Sequence, residues 1–115
     1  MAIDILQMLD VIEEMENYID RKRPPEEIRD QIDISYKIEN QSILLFEIRP
    51  NFFLPGERLE SMVAKTTFVH TTKYWKILWK RADSKWHTYT PMPNVKTIKE
   101  FLEVVEEDAC CCFWG

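Results

Sequence analysis

The chain has 115 residues, 45% hydrophobic and 30% charged, which excludes a disordered polymer and fits a single folded unit over residues 1–115. No run approaches the ~20 uninterrupted apolar residues of a membrane span. The start Met1-Ala2-Ile3-Asp4 lacks the basic segment of a secretory signal, so the expected setting is the cytoplasm, with no membrane partner. The net charge of −5 argues against bulk attraction to nucleic acid, but residues 65–85 carry six bases against Asp83 alone.

The first element in chain order is a long N-terminal helix. Ile5, Met8, Ile12, Met15 and Ile19 recur at three- and four-residue steps, widened by Leu6, Leu9 and Tyr18. Asp4 and Gln7 form a capping box, and Arg21, Lys22 and Arg23 suit the C-terminal end of the dipole. The stripe reads as core, with a dimer seam as the alternative. Pro24 and Pro25 stop the helix, and Pro25 opens a short second helix through about Gln31.

Next comes a sheet. Ile34–Glu39 and Ile43–Arg49 form a hairpin around Asn40-Gln41-Ser42, pairing Ile38 with Leu44, Tyr36 with Phe46 and Ile34 with Ile48. Residues 59–71 and 74–82 form a second hairpin, with Phe68 opposite Ile77, Thr66 opposite Trp79 and His70 opposite Trp75. A third turns at Asp83-Ser84, setting Arg81 against Trp86, Lys80 against His87 and Leu78 against Tyr89. The expected fold is α+β: a five-stranded antiparallel meander with a long N-terminal helix, a short second helix and a C-terminal helix capped by Thr97-Ile98-Lys99-Glu100.

These registers sort the side chains. One face gathers Ile34, Tyr36, Ile38, Leu44, Phe46, Ile48, Met62, Ala64, Phe68, Trp75, Ile77, Trp79 and Trp86, and the helices are expected to cover it. The other carries Lys37, Glu47, Arg49, Lys65, Lys76, Lys80, Lys85, His87 and Tyr89, interspersed with Ile43, Leu45, Val63, Val69 and Leu78. That mixture is too apolar for a simply solvated face, so it reads as a partner surface or as the seat of a crossing helix. The loop triplet Phe52-Phe53-Leu54 between Pro50 and Pro55 either plugs the core or meets a partner.

Chemical motifs are few. Lys65, Lys76, Lys80, Lys85, His87 and Tyr89 interleave bases with aromatics, as single-strand nucleic-acid binders do. Cys110-Cys111-Cys112 form no disulfide framework, and adjacent cysteines chelate one tetrahedral zinc poorly, even with Asp108 and His87 beside them. Glycines at 56 and 115 alone allow no phosphate loop. Cys112-Phe113-Trp114-Gly115 is similar to four letters of the nucleophile motif of peptide methionine sulfoxide reductase A, but Cys111 replaces the leading glycine and no helix follows.

Trp75-Lys76-Ile77-Leu78-Trp79-Lys80-Arg81-Ala82-Asp83-Ser84-Lys85-Trp86-His87-Thr88-Tyr89, together with Phe113-Trp114-Gly115, resembles the bacterial family known as domain of unknown function 3024. Arg23-Pro24-Pro25, Phe46-Glu47-Ile48-Arg49-Pro50 and Ala64-Lys65 fit the same pattern, so the resemblance spans the chain from about Arg23 onward. It implies a small bacterial protein, of a kind sometimes borne on integron gene cassettes, and implies no activity, cofactor or catalytic residue.

The expected function is therefore a non-enzymatic protein-interaction or ligand-binding module acting as a homodimer, with Phe52, Phe53, Leu54, Ile43, Leu45 and Leu78 at the interface. The first alternative is a nucleic-acid binder using Lys65, Lys76, Lys80, Lys85, His87 and Tyr89, and the second is a thiol- or metal-dependent enzyme. No metal site and no cofactor are expected.

Overall fold

The computed structural model describes residues 4–114. Helix α1 (Ile5–Lys22) and a 3-10 turn (Glu26–Ile28) precede strands β1 (Asp33–Glu39), β2 (Ser42–Pro50), β3 (Arg58–Val69), β4 (Tyr74–Lys80), β5 (Trp86–Thr88) and β6 (Asn94–Val95), and helix α2 (Ile98–Glu107) follows. The first five strands form an antiparallel meander in sequence order, as the periodicity indicates. Strand β6 is an addition, pairing with β4 through Trp75 opposite Val95. The expected second helix shrinks to three residues. Its one large apolar side chain, Ile28, is exposed, so it has no apolar stripe to bury, and short helices without tertiary packing do not persist.

Both long helices start as their caps dictate. The Asp4 carboxylate accepts from the Gln7 amide at 3.0 Å, and Thr97 Oγ1 accepts from the Glu100 amide at 3.1 Å. The face that α1 buries differs from the expected stripe. Val11, Met15 and Tyr18 are buried, whereas Ile5 and Ile12 are exposed. Apolar residues cover more than half of the circumference of α1, so spacing alone could not fix which part meets the sheet.

Two of the three expected hairpin registers shift by one residue, and the consequence is large. In β1–β2 the turn is Asn40-Gln41, with Asn40 in the left-handed region at φ 55° that asparagine tolerates. Ile38 therefore faces Ile43, Tyr36 faces Leu45 and Lys37 faces Leu44. In β4–β5 the Arg81 amide donates to the Lys85 carbonyl at 3.1 Å around a three-residue turn in which Ser84 has φ 64°. Trp79 then pairs with His87, and Lys80 with Trp86. The β3–β4 hairpin slips by two residues, Phe68 opposite Trp75 and Thr66 opposite Ile77, which leaves its faces as expected.

The inner, helix-covered face consequently carries Tyr36, Ile38, Ile43, Leu45, Ala64, Phe68, Trp75, Ile77 and Trp79. Leu44, Phe46, Ile48, Met62 and Trp86, expected there, stand on the outer face instead. A bulge opposite Leu45–Phe46 leaves Val63 unpaired, and Val63 and Ala64 both join the core. Buried Thr66 is satisfied, donating from Oγ1 to the Lys76 carbonyl at 3.0 Å. From the helices, Val11, Met15, Phe101 and Val105 complete this core, and Tyr89 lies in it against Phe113 at 4.8 Å. Burial pushes the Tyr89 hydroxyl up to about 12.

An ion pair fixes the end of α1 against the start of β1. Arg23 donates from Nε and Nη2 to the two carboxylate oxygens of Asp33 at 2.8 and 2.7 Å, and Asp33 also accepts from the Ile34 amide at 2.8 Å. The Arg23 guanidinium holds the Asp33 carboxyl below its usual range, aided by that amide and opposed by burial. Helix α1 thus runs from the end of the sheet holding the Val69–Tyr74 turn, where a shallow groove joins Leu6 and Asp10 to Phe68, His70 and Lys73, to the end holding Asp33 and Arg58.

Candidate functional site

The outer sheet face is the first candidate. Alternation along β4 places Tyr74, Lys76, Leu78 and Lys80 on it, and pairing adds Lys37, Leu44 and Lys65 in one cross-strand row with Leu78. Among the described residues no helix covers this face, yet Leu44 is 6% and Phe46 4% exposed. Lysine stems account for much of that shielding. Lys37 Nζ stands 5.4 Å from the Phe46 ring centre, and Lys65 and Lys80 approach Trp86 at 5.8 and 6.0 Å. Lys37 is also tied to Glu60 at 3.0 Å. Lys65, Lys76 and Lys80 have no carboxylate partner within ion-pair distance among the described residues.

The six basic and aromatic candidates therefore divide. Lys65, Lys76 and Lys80 share the outer face, and Trp86 joins them, a residue the sequence reading had assigned to the core. Lys85 lies in the β4–β5 turn, and His87 sits opposite Trp79, with Nε2 2.9 Å from the Asp83 carboxylate. The Lys85 amide, and then His87, hold the Asp83 carboxyl below its usual range. Tyr89 is buried under the helices and leaves the group altogether. The interface candidates divide as well. Ile43 and Leu45 are fully buried in the core, a correction that follows from the one-residue shift of the first hairpin, while Leu78 keeps its outer position half-buried.

The tip of the β2–β3 hairpin is the second candidate. Its last two pairs, Arg49 with Leu59 and Pro50 with Arg58, lie beyond the reach of β1 and β4, so the arm ends without a third strand. The loop across it is closed by its own bonds. The Asn51 amide donates to the Glu57 carbonyl at 2.9 Å, the Glu57 amide to the Leu54 carbonyl at 3.1 Å, and the Phe53 amide to Asn51 Oδ1 at 3.0 Å. Gly56 takes φ 88°, a conformation that only glycine adopts cheaply. This ordered loop presents Phe52 at 87% and Phe53 at 93% exposure, with Leu54 also exposed. Of the two outcomes the sequence left open for this triplet, plugging the core is overturned.

A third apolar surface lies at the start of α1, within the stripe for which a dimer seam was the alternative to core. Ile5, Leu6 and Leu9 on α1 are 77%, 75% and 59% exposed. The available signal was the excess width of the apolar arc on α1, wider than one sheet contact can bury.

The C-terminal cysteines lie on a bend after α2. Asp108, in a left-handed cap at φ 44°, accepts from the Phe113 and Trp114 amides at 3.0 and 2.9 Å, and so folds the tail back onto the core. Cys110 and Cys111 are exposed on that bend, while burial pushes the half-buried Cys112 thiol up, away from thiolate chemistry. Among the described residues no group of three or more His, Cys, Asp or Glu side chains is placed to hold a metal ion, and Asp108 and His87 have other partners. No helix among the described residues is long and apolar enough to cross a membrane.

With this geometry in place, the sequence comparisons give one assignment. The chain belongs to the family described as domain of unknown function (DUF3024), whose family model matches residues 4–115. No curated protein and no solved structure matches it.

Proposed function

We propose that this chain is a non-enzymatic protein-interaction module of the cytoplasm that engages its partner through the hairpin tip Phe52-Phe53-Leu54. One observation carries the reading: two adjacent phenylalanines stand almost wholly in water on a loop whose backbone bonds hold it in shape. Exposed aromatic anchors on a pre-ordered loop are what interface hot spots consist of, because little entropy remains to be lost on docking. The half-buried Cys112, whose thiol is pushed up by burial, and the engaged Asp108 and His87 support a non-enzymatic role.

The test places a photo-activated benzophenone side chain at position 53, with position 92 as an exposed control on a loop elsewhere. Irradiation in cells is expected to give discrete protein adducts from position 53 and none from position 92. Identical adduct patterns from the two positions would overturn the reading.

A second reading, single-stranded nucleic acid on the outer face, is favoured by Lys65 and Lys80 beside Trp86, with Lys76 on the same face, none of the three ion-paired among the described residues. It requires fluorescence anisotropy of a labelled oligonucleotide to show binding that weakens with salt, with a shallower salt slope in the Lys65→Ala/Lys80→Ala variant. Salt-independent or absent binding removes it.

A further inference from the structure

Resting on the tip as a docking element, we infer that its partner is a second copy of this chain, and that the receiving surface is the exposed start of α1, Ile5, Leu6 and Leu9. The two surfaces lie at opposite ends of the sheet. The tip extends past Asp33 and Arg58, whereas Leu6 lies beside Phe68, His70 and Lys73 at the other end. Two copies related by a two-fold axis across the sheet therefore bring each tip onto the other copy's helix start. The arrangement is reciprocal, it closes after two subunits, and it leaves neither surface over.

The area available agrees with this pairing. A large aromatic side chain presents roughly 150–250 Å². Two of them plus Leu54 on three aliphatics, counted at both junctions and on both partners, remove on the order of 1,200 Å² or more, the lower bound for a specific dimer. The α1 seam open from the sequence is a different arrangement, because it would pair helix with helix and leave both tips in water.

Sedimentation velocity tests it on the full chain, with Phe52→Asp/Phe53→Asp as the tip variant and Leu6→Asp/Leu9→Asp as the helix variant. Circular dichroism checks that each is folded, and the milder Leu6→Ser/Leu9→Ser serves if the helix variant is not. The wild type is expected to form concentration-dependent dimers, and each variant to dissociate at least about thirtyfold more readily. An equimolar mixture of the two variants is expected to regain dimers weaker than wild type, because one intact tip then meets one intact helix start. A helix–helix seam gives no such rescue.

A wild type that stays monomeric at several hundred micromolar overturns the inference, as does a mixture without rescue. So do open-ended polymers, or association with phosphatidylglycerol vesicles in place of self-association. Adducts from position 53 to some other protein would overturn self-pairing and leave the tip reading standing, whereas no adducts at all would end both.

Discussion

Two phenylalanine-bearing regions of the same hairpin behave in opposite ways. Phe46, on the uncovered face of the sheet, is 4% exposed, while Phe53, seven residues on, is 93% exposed. Neither lies under a helix. Phe46 is shielded because neighbouring strands supply Lys37, whose stem and ammonium lie over its ring, and Glu60 holds that lysine in place. Phe53 has no neighbouring strand, because the arm has outrun β1 and β4. An apolar residue outside the main core is thus hidden or offered according to the strands on either side of it.

The largest expected effect separates the two regions outright. Phe46→Ala should cost about 3–5 kcal/mol in urea unfolding, since a large ring is deleted from a closed site. Phe53→Ala should change the unfolding free energy of the monomer by no more than about 0.5 kcal/mol, read at a concentration where the chain is monomeric. Equal costs at the two positions would erase the contrast.

Asp33→Ala comes next, at about 1–3 kcal/mol, because it orphans the buried Ile34 amide. The folded-state carboxyl is held below its unfolded value of about 3.9, so its contribution is complete above that pH and falls as pH drops toward the lowered value. The wild type should therefore lose stability below about pH 4 more steeply than the variant, checked by urea midpoints across that window.

The smallest effect sharpens the idea of a lysine cover. Removing the Lys65 or Lys80 side chain as alanine should cost about 0.5–1 kcal/mol each and shift the Trp86 fluorescence to longer wavelength. An unchanged spectrum would mean that the lysines do not shield the ring.

Much of the architecture was legible in the sequence. Capping residues Asp4 and Thr97 mark both helix starts, and alternation with turn residues locates the five meander strands. The assignment of faces was not, because it hinged on one residue in each of two turns, Asn40-Gln41 and the turn closed by Arg81 and Lys85. The three-residue loop put more apolar side chains on one side, but the chain puts them on both and covers the second side with lysine stems. Apolar count therefore could not choose the register, and Ile43, Leu45 and Tyr89 moved inward while Phe46 and Trp86 moved out. The candidate site was half legible. Phe52-Phe53-Leu54 stands out as three apolar residues between prolines, but its exposure depends on strand lengths that sequence bounds poorly. The helix strip lies inside a stripe read as core, with a dimer seam as the alternative, and spacing alone does not separate its exposed part from its buried part.

Fluorine NMR on protein labelled with 4-fluorophenylalanine compares the two regions in one sample, with each resonance assigned by single substitution. On dilution from association to monomer, the Phe52 and Phe53 signals should move while the Phe46 signal stays fixed. Phe52 and Phe53 signals that never move, with Phe46 responding instead, would contradict a tip-mediated contact.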